Sequence, residues 1–217
     1  MAQKEFCVIG LGGFGSALAT DLFRRGHVVL GIDINEKLVN EHQDLLTQTV
    51  VADATNEAAL RSIGIKDYDY VIIAIGDNIE DNILATQTVI DFGVKNIWSR
   101  ADNQRHAKIL AKMGVGHVVD PELEAAHKCA RVLSSRSMVD FVEFAPGFSV
   151  AQVIVGASSS GKSLKDINFR AKYKATVIAV RRKDQSMPVV SPEEKLHEGD
   201  VLFIAGKTED VEKVEGI

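Results

Sequence analysis

Residues 8–33, VIGLGGFGSALATDLFRRGHVVLGID, decide the fold of this protein. An apolar run ends in a turn with glycines at positions 10, 12 and 15, a stretch of helical length follows, and a second apolar run stops at Asp33. Short continuous apolar runs are typical of strands that are covered on both faces of a parallel sheet. The stretch therefore predicts a strand, a glycine-rich turn, a helix and a second strand.

The glycines of this turn have separate roles in a dinucleotide-binding motif. Gly10 permits the tight turn, Gly12 lets the backbone approach a pyrophosphate, and Gly15 lets the helix pack closely on the strand. The amides of residues 13–15 open a helix whose dipole favours an anion. A carboxylate at Asp33 suits both ribose hydroxyls and disfavours a 2′-phosphate, so we expect a site that does not take NADP. The alternative is a glycine-rich turn without a ligand.

The alternation of strand and helix patterns continues to about residue 120. Strands are predicted at 6–9, 28–32, 49–52, 70–75, 96–100 and 117–119, and helices at 14–25, 36–44, 57–63, 79–92 and 104–113. Each gap between strands is long enough for a right-handed crossover. We therefore expect a Rossmann-like α/β domain with a doubly wound parallel sheet.

The pattern changes after Pro121. Residues 121–137 indicate one further helix, with the proline near its first turn. Strand-like runs then dominate, at 139–145, 148–156, 175–182, 188–191 and 200–206, with short helices at 163–171 and 209–215. This predicts a smaller C-terminal α+β lobe. We place the domains at residues 1–136 and 137–217, with the helix from residue 122 as a rigid connector.

Composition excludes several functional classes. The chain has 217 residues, a net charge of −5, 46% hydrophobic and 25% charged residues, and no basic stripe, so nucleic acid is not an expected partner. No apolar run approaches the roughly 20 residues of a membrane span, and the N-terminus lacks the pattern of a signal peptide. Two cysteines, Cys7 and Cys129, do not form a disulfide framework, so we expect a cytoplasmic protein.

Ligands of a doubly wound sheet bind at the carboxyl ends of its strands. By this rule, Asp53 or Thr55 is expected to contact the adenosine, and Gly76 is expected to let the ligand approach the backbone closely. Arg100 is expected to pair with phosphate, and the alternative is a surface ion pair.

A catalytic apparatus is not evident. None of the six histidines stands beside a nucleophile, and neither cysteine has a neighbouring histidine. We interpret Asp77 and Asp81 as helix-entry residues rather than metal ligands. Residues 156–163, GASSSGKS, match the phosphate-binding pattern Gly-x₄-Gly-Lys-Ser, but only a short helix follows, so we interpret them as a Ser/Gly loop.

Several segments together resemble a known family. They are FCVIGLGGFG (6–15), GIDI (31–34), VVADATNEAALRSIGI (50–65), VIIAIGDN (71–78) and ILAKMGVGHVVDPE (109–122). Together they are similar to the RCK (KTN) regulatory subunits of bacterial Ktr and TrkA-type potassium uptake systems. Residues 155–182 and 201–206 resemble the C-terminal (TrkA-C) lobe of that family.

The resemblance implies a non-catalytic regulatory subunit at the inner face of the cell membrane. It implies homodimers that form an octameric ring beneath a membrane potassium-translocating subunit of the KtrB or TrkH type. ATP and ADP, or NAD(H), compete for the N-terminal domain in such proteins. Carried over by position, the nucleotide contacts are Gly10, Gly12, Gly13, Phe14, Gly15, Asp33, Ile34, Asp53, Ala54, Thr55, Ile75, Gly76 and Arg100.

Two further positions bear on the phosphates. Glu122 matches an acid that, in Ktr relatives, lies near the phosphates at the dimer interface and can help to hold a divalent cation (Mg or Ca). The residues alone indicate a helix N-terminal acid instead. Gly13 stands where Ktr proteins commonly carry an arginine that contacts the terminal phosphate. This difference implies weaker discrimination of ATP from ADP, and favours NAD(H), ADP or AMP as the resident ligand.

The resemblance also implies a cyclic di-AMP site in the C-terminal lobe. The matching positions are Phe169, Arg170 and Pro192, although Thr176 stands where relatives often carry asparagine. An apolar dimer seam without a ligand is the alternative.

Two other functions remain open from the residues alone. One is a small NAD-dependent oxidoreductase, and the other is a stand-alone nucleotide sensor with a different membrane partner.

Overall fold

The computed structural model describes residues 2–217. The chain divides into two compact units, of which the first ends at Pro121 and the second runs from Glu122 to Ile217. None of the described helices combines the length and the apolar character that a membrane crossing requires.

The first unit is a parallel sheet of six strands in the order β3-β2-β1-β4-β5-β6. The strands are β1 (Glu5–Ile9), β2 (Val28–Asp33), β3 (Gln48–Val51), β4 (Tyr70–Ile73), β5 (Ile97–Arg100) and β6 (His117–Val119). The helices are α1 (Gly13–Arg24), α2 (Glu36–His42), α3 (Glu57–Ile63), α4 (Ile79–Asp91) and α5 (Gln104–Met113). The predicted Rossmann-like fold is confirmed, and its strand order reverses between β1 and β4.

Both faces of the sheet are covered by apolar side chains. In β1, Cys7 and Ile9 belong to one buried cluster, whereas Phe6 and Val8 belong to another. Alternate residues of a strand point to opposite faces, so this strand is buried on both sides. Burial on both faces therefore explains the continuous apolar run of β1, as the sequence analysis predicted.

The second unit contains an antiparallel sheet in the order β7-β8-β10-β9. Its elements are α6 (Pro121–Ser134), β7 (Met138–Ala145), β8 (Phe148–Ile154), α7 (Phe169–Tyr173), β9 (Thr176–Arg181), β10 (Val201–Lys207) and α8 (Thr208–Val211). The predicted smaller α+β lobe is confirmed, with α7 and α8 shorter than the sequence predicted.

The predicted strand at 188–191 is wrong. Pro188 and Pro192 frame this segment, and proline has no amide for a strand ladder. Side chains hold the following loop instead, since Arg182 pairs with both Glu194 and Asp200. The segment therefore runs as a loop outside the sheet.

The division between the units follows the first residue of α6, whereas the sequence analysis placed it after this helix. Ion pairs explain the difference. Lys128 Nζ lies 2.7 Å from Asp140 Oδ1, and Arg131 lies 3.1 Å from carboxylate oxygens of both Glu143 and Glu212. These contacts fasten α6 to β7 and to the C-terminal segment of the second unit.

Candidate nucleotide-binding site

A cavity of about 410 Å3 lies at the carboxyl ends of the strands of the first unit. Of the predicted nucleotide contacts, all except Phe14 and Gly15 line it. The sequence analysis did not assign to the site the lining residues Ile9, Ile32, Asn35, Leu38, Ala52, Ala74, Asp77, Asn78 and Asp81. The cavity thus lies at the reversal of strand order, where ligands of such sheets bind.

The glycine turn is shaped by close backbone packing. Gly10 has a φ of +98°, and a Cβ there would lie 2.9 Å from the carbonyl carbon of Ala74. A Cβ on Gly15 would collide with the carbonyl oxygen of Gly10. Gly15 therefore packs the helix on the turn, while the Phe14 side chain packs with the apolar cluster that contains Val8. Their absence from the lining follows from this packing, and only their amides are left to meet a ligand.

The start of α1 differs from every other helix start of the first unit. In α2, α3, α4 and α5, an asparagine side chain before the helix accepts a hydrogen bond from a first-turn amide. These asparagines are Asn35, Asn56, Asn78 and Asn103, respectively. The corresponding residue of α1 is Gly12, where no side chain of the described chain caps the helix, and its first turn contains no acid. The first amides of a helix lack intrahelical acceptors. In α1 they are therefore left for an anion at the cavity.

Asp33 joins the glycine turn to the end of β2. Its Oδ2 accepts a hydrogen bond from the Leu11 amide at 2.7 Å, and its Oδ1 accepts one from the Asn35 amide at 2.8 Å. An ionised carboxylate has about four acceptor positions, so two amides leave capacity for ribose hydroxyls. The carboxylate is thus held in place before any ligand arrives.

Asp53 is fixed in the same way at the end of β3. The amide and the hydroxyl of Thr55 donate to Asp53 Oδ1 at 2.9 Å and 2.7 Å. These hydrogen bonds hold the pKa of Asp53 below its usual value. The side chain therefore stays ionised at neutral pH and is oriented toward the cavity by its own loop.

The opposite wall is formed by Gly76 and Arg100. A Cβ on Gly76 would collide with the Arg100 guanidinium, so this side chain lies directly on the glycine backbone. Such planar packing needs glycine, and it presents a group that suits phosphate oxygens.

The cavity is rich in negative charge. Asp33, Asp53, Asp77 and Asp81 line it, and Arg100 is the only cationic side chain among its described lining residues. A Cβ on Gly13 would have open space within 4 Å of the described chain. Coulomb repulsion therefore opposes a highly charged triphosphate more than a less charged ligand.

Glu122 lies in the first turn of α6 together with Glu124. Within residues 2–217, no three His, Cys, Asp or Glu side chains come together as a metal site. Mg²⁺ commonly takes one or two carboxylates and completes its shell with phosphate oxygens and water. Glu122 supplies one carboxylate, so a divalent cation there would need such further ligands, and this assignment stays a prediction.

In residues 156–163, the segment with the pattern Gly-x₄-Gly-Lys-Ser, the lysine and the serine are held by hydrogen bonds within the second unit. Lys162 Nζ donates to the Ser158 carbonyl at 2.9 Å. The Ser163 amide donates to Asp166 Oδ2 at 2.9 Å, and the Asp166 amide donates to Ser163 Oγ at 3.0 Å. These hydrogen bonds hold the pKa of Asp166 below its usual value. A short 3₁₀ turn lies within the loop at Ala157–Ser159, and the next helix, the five-residue α7, begins only at Phe169.

A second cavity, of about 380 Å3, lies in the second unit. It is lined by Leu164, Lys165, Asn168, Phe169, Arg170, Ala175, Thr176, Val177, Val190, Ser191 and Pro192. All three residues predicted for cyclic di-AMP are among them. Phe169 is only 3% exposed and its ring centroid lies 5.0 Å from that of Tyr173, so it forms an apolar wall.

Two titratable side chains of the first unit are buried away from the cavity. Burial raises the pKa of the Cys7 thiol far above its usual value. Burial also lowers the pKa of His106, whose Nδ1 accepts a hydrogen bond from the Asp102 amide at 3.2 Å. The thiol stays protonated and the imidazole neutral at pH 7, which is the behaviour of packed side chains.

Comparison with known proteins identifies the family. Residues 6–121 match the TrkA-N domain family, and residues 150–217 match the TrkA-C domain family. The chain belongs to the TrkA-domain family. The resemblance noted from the sequence is thereby confirmed.

The relatives of this TrkA-domain protein include two from Bacillus subtilis (strain 168). It is 36% identical over 213 residues to Ktr system potassium uptake protein A, which covers 98% of this chain and 96% of the relative. It is 35% identical over 215 residues to Ktr system potassium uptake protein C, with 98% and 96% covered.

Solved structures share the fold at low identity. The GsuK channel superposes with a TM-score of 0.70 at 16% identity, covering 100% of this chain and 40% of that chain. The GsuK channel bound to NAD gives 0.66 at 16% identity, covering 97% and 38%. The TrkA-domain protein thus spans less than half the length of these channel chains, and the likeness concerns the fold alone.

Proposed function

We propose that this protein is a nucleotide-sensing regulatory subunit of a potassium uptake system. The observation that carries the proposal is the uncapped start of α1 at the cavity, in a chain that resembles Ktr uptake proteins over nearly its full length. The ligand is an adenine nucleotide, either ATP or ADP, or NAD(H).

Different lining residues suit different parts of the ligand. Asp33 and Asp53, at the ends of β2 and β3, face the adenosine and its ribose. The amides of Gly13 and the next two residues receive the phosphates. Arg100, packed on Gly76, meets the phosphates or the second nucleoside from the opposite wall. Each part of the nucleotide therefore meets a group of suitable chemistry.

Regulation follows from differential affinity. A nucleotide shifts an assembly toward one shape only as far as it binds that shape more tightly than the other. Two nucleotides with different affinities for the two shapes then report the energetic or redox state of the cell to the transporter. This mechanism needs no chemical step on the nucleotide.

A homo-oligomeric ring at the inner face of the membrane is part of the proposal. None of the α6 side chains is buried within the chain, and Leu133 is 84% exposed. Phe144, in the edge strand β7, is 69% exposed. Exposed apolar groups on a helix and a sheet edge mark an interaction surface, and a second copy of this chain is its occupant. Homodimers of this kind build the octamer that contacts the membrane potassium-translocating subunit.

The second cavity is proposed as a cyclic di-AMP site. Arg170 supplies a phosphate partner, while Phe169 and Pro192 supply apolar walls for adenine. A divalent cation (Mg or Ca) at Glu122 is proposed for the nucleotide phosphates of the first cavity.

Native mass spectrometry of the purified protein tests the assembly and its resident ligand together. We expect a multiple of the chain mass that carries an adenine nucleotide. A protein that is monomeric and free of nucleotide, and that binds none in calorimetric titrations, would contradict the proposal.

Two further measurements separate the rival functions. Potassium uptake by cells that contain the membrane subunit should depend on this protein and respond to Asp33→Ala. Net oxidation of NADH by the pure protein with candidate carbonyl substrates would instead favour the oxidoreductase.

A further inference from the structure

A fully buried amide lies behind the wall of the nucleotide cavity. Asn82, in the first turns of α4, has 0% of its surface exposed. Its Nδ2 donates one hydrogen bond to the Ile75 carbonyl at 2.8 Å and another to the Arg100 carbonyl at 3.1 Å. These two carbonyls belong to residues that line the cavity. The helix thus holds two separate segments of the site with one side chain.

The acceptor atom of the same amide is also used. Asn82 Oδ1 accepts from Ser99 Oγ at 3.1 Å and from Thr86 Oγ1 at 3.4 Å, and both hydroxyl residues are fully buried. Buried polar groups require partners, and a fully satisfied network fixes its members in one arrangement. The hydrogen bonds to Oδ1 therefore fix the orientation of the Asn82 amide. This orientation directs its two N–H groups toward the Ile75 and Arg100 carbonyls.

The donors act where the sheet no longer holds its strands together. The paired register of β4 with β5 ends at Ile73 opposite Ser99. Beyond that point Ile75 leaves the ladder, and Asn82 replaces the missing connection by bridging it to the Arg100 carbonyl. The spacing between the two segments is set by a side chain rather than by strand pairing.

This spacing determines the wall of the cavity. Gly76 follows Ile75 and lies directly against the Arg100 guanidinium. The amide of Ile75 lies 3.0 Å from the position that a Cβ on Gly10 would take, so the same segment supports the glycine turn. A shift of the Ile75 carbonyl would therefore move both the phosphate-facing arginine and the turn.

We propose that Asn82 is a positioning residue for nucleotide binding, which sets the distance between the Ile75–Gly76 segment and Arg100. The inference rests on the proposed function, because it assumes that the cavity binds a nucleotide. Asn82 does not touch the ligand itself and acts through the two carbonyls that it holds.

The test compares affinity with stability in two sets of variants. Asn82→Ala and Asn82→Asp remove the donors, and the second keeps acceptor oxygens for Ser99 and Thr86. Ser99→Ala and Thr86→Val are matched controls, each of which removes one of the two hydrogen bonds to Asn82 Oδ1 and leaves the other to orient the donors. Calorimetry with ADP and with NAD⁺ gives the dissociation constants, and thermal unfolding gives the midpoints.

We expect both Asn82 variants to weaken nucleotide binding by about tenfold or more. The dissociation constants of the controls should stay within about threefold of the wild-type values, even where their unfolding midpoints fall as far as those of the Asn82 variants. A folded Asn82 variant with wild-type affinity would overturn the inference, and so would controls that lose as much affinity as the Asn82 variants. One Asn82 variant that keeps the wild-type circular dichroism spectrum is sufficient for this comparison of affinities.

Failure of the proposed function looks different. In that case the wild-type protein itself binds neither nucleotide, and the inference falls with it. Wild-type binding that the Asn82 variants reproduce rejects only the positioning role.

Discussion

Two glycine-rich segments of this protein match phosphate-binding patterns, and their surroundings differ. Residues 10–15 lead from β1 into the 12-residue helix α1, whose first turn is left uncapped at the edge of a cavity. Residues 156–163 contain a three-residue 3₁₀ turn, and the next helix begins only at Phe169. Their lysine donates to the Ser158 carbonyl, and their serine is hydrogen-bonded to Asp166. A pattern of glycines indicates a phosphate site only when the fold leaves its amides without partners.

The difference extends to the packing of the glycines. In the first segment, Gly10 and Gly15 are required by contacts with backbone atoms of the sheet and turn. In the second, a Cβ on Gly156 would lie 3.0 Å from the Ile217 carbonyl oxygen, whereas Gly161 needs its φ of +80° but has open space within 4 Å of the described residues. Glycines of the first kind build a surface against another element, whereas a glycine of the second kind only turns the chain.

The largest expected effect is a loss of stability from a substitution at Gly15 in the first segment. Gly15→Ala places a methyl group against the Gly10 carbonyl and forces α1 away from the turn, so we expect a loss of roughly 2–4 kcal/mol in the free energy of unfolding. Denaturant titration measures it. The control is Gly12→Ala, whose methyl group has open space and should change stability by about 0.5 kcal/mol or less. Equal losses in both variants would contradict the packing argument.

The second prediction concerns Gly13 and the selection of phosphates. Wild-type protein should prefer ATP over ADP by less than about tenfold, because a helix start discriminates them weakly. Gly13→Arg adds a charge-assisted contact to the terminal phosphate and should widen the preference by roughly 1.5–3 kcal/mol. Paired titrations with and without magnesium measure the ratio, with Gly13→Gln as the uncharged control. Strong ATP selectivity of the wild type without divalent ions would refute this explanation.

The third prediction concerns Asp33. Asp33→Ala removes the acceptor for the ribose and frees the Leu11 amide, so nucleotide affinity should fall by about 1–3 kcal/mol. Calorimetric titration with ATP, ADP and NADH measures it. Asp21→Ala removes an exposed carboxylate that pairs with Arg25 outside the cavity and should leave the affinity unchanged. Unaltered binding by Asp33→Ala would reject its role.

The smallest expected effect is at Lys162. Its ammonium group donates to the Ser158 carbonyl, so Lys162→Ala should change nucleotide affinity by only a few tenths of a kcal/mol. The same titrations measure it. A tenfold loss would restore the second segment as a phosphate-binding loop and abolish the contrast between the two.

Local signals explain why the sequence predicted the first unit well. The observed bounds of α3 and α5 coincide with the predicted ones, because each helix begins after an asparagine cap and ends at a glycine in the left-handed conformation. The run at 188–191 has strand-like valines but is framed by prolines, and the prolines decide its structure. Capping residues therefore predict helix bounds more reliably than composition predicts an edge strand.

The sequence alone determined the parallel sheet, the glycine turn and most of the cavity lining. These features depend on the period of apolar residues and on backbone conformations that only glycine adopts readily. The tertiary structure decided that Phe14 packs into the core, that α6 joins the second unit, and that Asn82 bridges the Ile75 and Arg100 carbonyls. Such contacts join segments that are distant along the chain, so they depend on the register and spacing of strands, which no local pattern specifies.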